Sequence, residues 1–167
     1  MFETVARRTF RASERVAEAM NKACWSFLLG SMGRGARLSS TVKVKRPRQV
    51  HVGADTVIND YVHIWGGGGV RIGSDCLIAA HTVITSQSHD ANALREGKLY
   101  RETHNDLPVI LEDNCWIGSN VTILPGVTIG RNSIIGAGAV VTHSIPPNSL
   151  AVGVPARVVR VLEAGQQ

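Results

Sequence analysis

The stretch LEDNCWIGSNVTILPGVTIGRNSIIGAGAVV, Leu111 to Val141, carries a large aliphatic residue at every sixth position: Leu111, Ile117, Ile123, Ile129, Ile135 and Val141. The same step recurs upstream as Val52, Ile58 and Ile64, and again as Ile72, Ile78 and Ile84. Between Ile64 and Ile72 the step is eight, and the run Gly66 to Gly69 absorbs the excess. A six-residue unit cannot bury anything alone, so the units must stack. Three of them make one triangular coil with a short strand on each side, and successive coils sit at the ordinary strand spacing of about 4.8 Å. An antiparallel sandwich would alternate with period two and turn irregularly. The aliphatic of each unit is expected to point inward. The small residue behind it, at Gly53, Gly73, Gly118, Gly130 and Gly136, is expected to serve a tight corner.

The composition agrees. Aromatic residues make up 5% of the 167 positions, and Gly numbers 17. That suits many short strands of β-branched and small side chains. Cys24, Cys76 and Cys115 have no metal-ligand spacing and cannot all pair within the chain, as expected of a reduced, cytoplasmic protein. The apolar run ACWSFLL is too short to cross a bilayer.

Residues 1–48 hold 11 Lys/Arg against 3 Glu, whereas residues 49–167 hold 7 Lys/Arg against 10 Asp/Glu. The basic character is therefore local. Residues 2–29 read as a helix, with Val16, Met20, Ala23, Cys24, Phe27 and Leu28 on one stripe and Arg7, Arg8, Arg11, Arg15 and Lys22 on other faces. Gly30, Gly33 and Gly35 end it. Such a helix can lie on an anionic membrane surface or pack on its own assembly. The expected division is a basic helical segment over 1–37, a coil stack over 38–162 and a tail over 163–167, with Pro146, Pro147 and Pro155 closing the stack.

One segment breaks the rhythm. TSQSHDANALREGKLYRETHNDLP, Thr85 to Pro108, is polar and holds His89 and His104. A filled coil stack has flat faces and no natural pocket. A loop over 86–108 is where chemistry would be built.

The segments PVILEDNCWIGSNVTILPGVTIG and IIGAGAVVT…IPPNSLAVGVPARVVR resemble the hexapeptide-repeat acyltransferases. Within them they look like the sugar O-acetyltransferase branch that includes galactoside and maltose acetyltransferases. The SHD form of the histidine motif resembles the bacterial polysaccharide O-acetyltransferases. The resemblance implies an all-β fold, a left-handed parallel β-helix with an N-terminal helix and an extruded active-site loop. It implies a homotrimer that uses acetyl-CoA as acyl donor and acetylates a glycan hydroxyl, with no metal. No nucleic-acid partner is expected; the cysteines point to the cytoplasm, and the basic helix to its inner membrane surface where that helix meets lipid.

The resemblance makes His89 the catalytic base. A hydroxyl is a poor nucleophile until its proton is being removed, and imidazole titrates where that can happen at neutral pH. It implies that Asn59 and Trp116 border the acceptor, and that Ser119, Ala137, Thr142, His143, Arg157 and Arg160 line the coenzyme. Plainer roles stand beside these: a turn residue for Asn59, a cover over neighbouring side chains for Trp116, and solvated positions for the arginines. Gly67 stands where the galactoside branch has a sugar-binding aspartate, so a simple galactoside is not the expected acceptor. Two other classes are compatible with the coil stack: a zinc enzyme of the gamma carbonic anhydrase type and a non-catalytic assembly spacer. The first lacks an H-x4-H pair. The second leaves His89, Trp116 and the PARVVR segment without a role.

Overall fold

In a computed structural model describing residues 20–163, the six-residue step becomes a parallel solenoid. The first coil is β1 (Ser31–Met32), β2 (Arg37–Leu38) and β3 (Lys43–Lys45); the second is β4 (Val50–Val52), β5 (Val57–Ile58) and β6 (His63–Trp65). The third is β7 (Val70–Ile72), β8 (Leu77–Ile78) and β9 (Val83–Thr85). After the loop come β10 (Val109–Leu111), β11 (Trp116–Ile117) and β12 (Thr122–Ile123), then β13 (Thr128–Ile129), β14 (Ile134–Ile135) and β15 (Val140–Val141). The last strands among the described residues are β16 (Ser149–Val152) and β17 (Arg157–Val161).

The strands form three faces of a triangular prism. The first face stacks β1, β4, β7, β10 and β13; the second stacks β2, β5, β8, β11, β14, β16 and β17; the third stacks β3, β6, β9, β12 and β15. All pairings are parallel except β16 with β17. The solenoid starts before the expected residue 38, because β1 already pairs with β4 through Ser31–His51 and Met32–Val52. It also continues past Pro146 and Pro147. Ile145 still bridges Ile129, and β16 adds to the second face before the antiparallel β17 closes it.

The expected aliphatics are the core. Ile58, Ile78, Ile117 and Ile135 lie in register on the second face, and Ile64, Ile84, Ile123 and Val141 on the third, all essentially inaccessible. Truncating one such Ile to Ala would cost about 2–5 kcal/mol. A second buried column precedes the second-face strands at Ala36, Thr56, Cys76, Cys115 and Ser133 and continues into Ser149, the first residue of β16. Its polar members are satisfied within the stack. Thr56 Oγ1 donates to Gly73 O at 2.7 Å, and Ser133 Oγ donates to Pro146 O at 3.0 Å. The hydrogen bond with Cys76, and then burial, push the Cys115 thiol up.

The corners are tight at the expected glycines, and close approach of the next coil is the reason, not the backbone angle. Gly53, Gly73, Gly118, Gly130 and Gly136 are not among the residues with positive φ. They are small because the next coil passes directly above: a Cβ on Gly73 would stand 2.7 Å from Asp113 N, and one on Gly118 would stand 2.6 Å from Ala137 N. Left-handed positions lie at Gly35, Asp55, Asp75, Asn114, Asn132 and Asn148 along one edge and at Tyr61, His81, Asn120 and Gly138 along the next. Asp and Asn tolerate that conformation better than other residues with a Cβ. Asn114, Asn132 and Asn148 also join their side-chain amides coil to coil, at 3.0 and 2.8 Å.

Residues 20–28 are helical and cover the lower end, where Trp25 packs against the core beside Leu29. Of the basic positions read on the helix, Arg7, Arg8, Arg11 and Arg15 lie outside the described residues, as does most of the tail; Lys22 is exposed. No helix among the described residues is long and apolar enough to cross a membrane.

Candidate active site

The loop leaves the prism at its third corner, where the third face turns back to the first. Its root is clamped from below. Ser86 is fully buried; its backbone N–H and its hydroxyl both donate to Trp65 O, at 3.0 and 2.6 Å, and its Oγ accepts from Gly68 N–H at 2.9 Å. The two arms of the loop then bond to each other. Leu107 N–H donates to Ser86 O, while Ser88 and Asn105 exchange both backbone bonds at 3.2 and 2.8 Å. This short antiparallel ladder sets Gln87 opposite Asp106 and His89 opposite His104. Two short 3₁₀ turns, Ala93–Glu96 and Tyr100–Glu102, form the tip, with Ala93 as its buried anchor.

His89 stands at the top of that ladder, exposed within the single chain. Its Nδ1 lies 2.7 Å from Thr103 O. A carbonyl can only accept, so Nδ1 carries the proton and Nε2 of the neutral ring keeps a free lone pair. Thr103 is itself fixed: its Oγ1 donates to Tyr100 O at 2.9 Å and accepts from Asp90 N–H at 3.0 Å. The loop thus holds an oriented imidazole whose outer nitrogen is free to take a proton. The ring of His104 lies 5.8 Å from that of His89, centroid to centroid. Only the 88–105 register brings the two together.

The other named residues fall elsewhere. Trp116 is 51% exposed on β11, in the middle of the second face and not at a corner. Its outward column runs through Val57, Leu77 and Ile134. The second face is opposite the third corner, so Trp116 and His89 of one chain do not meet. Asn59 follows β5 at the second corner, half-buried; the left-handed residue of that turn is Tyr61, not Asn59.

Ser119 and Ala137 lie at the second corner one coil apart, joined where Gly138 N–H donates to Ser119 O at 2.8 Å. Nothing lies within 4 Å of where a Gly138 Cβ would stand, so this edge is an open ledge of small residues along which a narrow pantetheine arm could run. Thr142 and His143 lie at the third corner, bonded to each other at 2.8 Å between Thr142 Oγ1 and His143 Nδ1. Arg157 and Arg160 are exposed on β17. Arg157 Nη1 donates to Ala156 O at 2.9 Å; the remaining guanidinium donors of the pair face outward, and such groups suit phosphates, which a guanidinium pairs bidentately. Among the described residues no three His, Cys, Asp or Glu side chains converge on a metal position.

Residues 108–143 match the family described as bacterial transferase hexapeptide (six repeats). The chain is 36% identical over 135 residues to the galactoside O-acetyltransferase of Escherichia coli K12; the match covers 80% of this chain and 64% of that protein, just under two thirds of its length. It is 35% identical over 141 residues to a putative lipopolysaccharide biosynthesis O-acetyl transferase, WbbJ, of the same strain, covering 78% of this chain and 72% of the other. The hexapeptide-repeat acetyltransferase VCA0836 of Vibrio cholerae, solved with acetyl-coenzyme A, superposes with a TM-score of 0.82 at 32% identity, covering 88% of this chain and 79% of that one. A galactoside acetyltransferase solved with coenzyme A superposes with a TM-score of 0.79 at 34% identity, covering 85% and 70%.

Proposed function

Because this chain belongs to the hexapeptide-repeat acetyltransferases, we propose that it moves an acetyl group from acetyl-coenzyme A to a sugar hydroxyl in a bacterial polysaccharide or its precursor. The observation that carries the reading is the His89 ring, held through Nδ1 on Thr103 O with Nε2 free. Nε2 takes the proton of the acceptor hydroxyl as its oxygen attacks the thioester carbonyl carbon. The C–S bond breaks, and the imidazolium returns the proton to the departing thiolate. Products are the O-acetyl sugar and free coenzyme A. A base of this kind contributes about 10²–10⁴-fold. No covalent acyl-enzyme is needed.

The active unit is a homotrimer. In a single chain His89 projects from the third corner, while Trp116 and Asn59 sit on the second face and second corner. A neighbouring copy brings those residues, and the Ser119–Ala137 ledge, against the loop. The coenzyme lies along that ledge with its phosphates toward Arg157 and Arg160.

The test is a transfer assay. Purified protein is incubated with acetyl-coenzyme A and a panel of nucleotide sugars, oligosaccharides and polysaccharides, and products are read by mass spectrometry. Gain of one acetyl mass on a saccharide, with stoichiometric free thiol, is the expected result. Thiol release without any acetylated saccharide, or none at all, contradicts the reading.

A further inference from the structure

The third corner carries more than the loop. Lys45, Trp65 and Thr85 stand in register on the third face, one above the other on successive coils. The chain runs from Thr85 into Gln87 and His89, so the column leads from the catalytic loop down to the first coil. At its foot are Lys45, Arg46 and Arg48, all exposed. Between residues 20 and 48 there are seven Lys/Arg and no Asp or Glu. Of the ion pairs among the described residues, Lys98–Glu96 and Arg131–Glu112, neither involves this foot.

Midway stands Trp65, 39% exposed, with Lys45 Nζ 4.4 Å from its ring centroid. Two residues beyond Trp65, Gln87 folds directly over Gly67, and any Cβ there would collide with it. At the upper end the charge reverses. Asp106 accepts from Gln87 Nε2 at 3.4 Å, and Asp90 accepts from Asn92 N–H at 2.8 Å. The edge is therefore polar and acidic beside His89, aromatic in the middle and cationic at the foot. Two coil spacings, about 10 Å, separate the Lys45 and Thr85 levels.

We propose that this edge is the acceptor track and that it selects an acidic saccharide. The reacting hydroxyl sits at His89, a sugar ring lies on the indole of Trp65, and a carboxylate or phosphate further along the saccharide meets Lys45 and Arg46. This rests on the acetyl-transfer reading for the identity of the reaction, but the binding preference does not depend on turnover. An indole offers a flat apolar face to the C–H side of a sugar ring. Cations beside it supply charge complementarity that a neutral glycan cannot use. Alignment with the catalytic loop favours a saccharide over a lipid surface, which would need no such register.

The experiment compares oligogalacturonate with a neutral galacto-oligosaccharide of equal length, by calorimetry and by transfer assay, at two ionic strengths. The acidic probe is expected to bind more tightly, and its affinity to fall with salt. The double variant Lys45→Gln/Arg46→Asn should weaken the acidic probe roughly tenfold and remove the salt dependence, with the neutral probe changed less than about twofold. Trp65→Ala should weaken both probes, and thermal melts confirm that each variant is folded. Equal binding of both probes by the unaltered protein overturns the inference even if transfer occurs. So does co-sedimentation with phosphatidylglycerol vesicles that depends on Lys45 and Arg46 while no acidic-probe preference exists. Selective binding of the acidic probe with no transfer to any saccharide leaves this inference standing and removes the acetyl-transfer reading instead.

Discussion

The Nδ1 atom of His89 lies 2.7 Å from the carbonyl oxygen of Thr103, across the mouth of the one loop that interrupts the coils. The bond fixes both the tautomer and the direction of the ring. A catalytic imidazole needs both, since a proton must leave from and return to one nitrogen.

On the proposed mechanism Thr103 positions His89, and its hydroxyl is the part that can be removed. Thr103→Ala breaks the bonds to Asp90 N–H and Tyr100 O but leaves the carbonyl. The expected result is a fall in kcat of roughly three- to tenfold with coenzyme affinity unchanged, corresponding to about one hydrogen bond of lost loop order. Thr103→Ser should restore most of it. Steady-state kinetics on the three proteins check this.

The separation of His89 from Trp116 by the width of the prism makes an assembly prediction. Static light scattering at micromolar concentration should give three times the chain mass. Mixing His89→Ala and Trp116→Ala subunits should restore transfer in part, because some mixed sites receive an intact residue from each chain. A monomer with full activity would remove the shared site.

Gly73 tests the coil spacing away from the loop. A Cβ there would meet Asp113 N and Glu112 C, both at 2.7 Å and both backbone. Gly73→Ala should destabilise by about 1–3 kcal/mol, as overpacking does, and lower the melting temperature by several degrees. Gly97→Ala has open space but a φ of 67° and sits in the loop, so it should cost less.

Asp60 gives a pH signature. Hydrogen bonds from Ser39 Oγ and Thr41 Oγ1 hold its carboxyl below the usual carboxylate value. A group depressed in the folded state stabilises above its unfolded pKa, and that contribution is lost as pH falls through the folded value. The acid limb of a stability–pH curve should therefore flatten slightly in Asp60→Asn. The effect is small, because the group is exposed.

The core was legible because its signal is one residue type at one period. Ile58, Ile64, Ile78, Ile84, Ile117 and Ile123 are each fixed by the same local demand, and repetition separates that demand from chance. The loop was legible as a break in the same signal. The tight corners at the glycines were legible, but what crowds them was not: Gly73 is small because Asp113 passes above it, a contact between coils that no local pattern records. The left-handed corner positions at Asp55, Asp75 and Asn114 follow a regular spacing that only dihedral angles reveal. The pairing of His89 with His104, and the column Lys45–Trp65–Thr85, depend on register across distant segments. The histidine pair leaves no trace in spacing along the chain; the column follows the coil step, but which residues it stacks outward is fixed only once the coils are paired. Helical stripe positions upstream of residue 20 lie outside the described residues.

The central claim is that His89 is the base in acetyl transfer, and turnover of His89→Ala measured alongside a coenzyme titration tests it most directly. The account predicts a loss of about 10²–10⁴-fold in kcat with the coenzyme Kd unchanged. Turnover equal to that of the unaltered protein would contradict it.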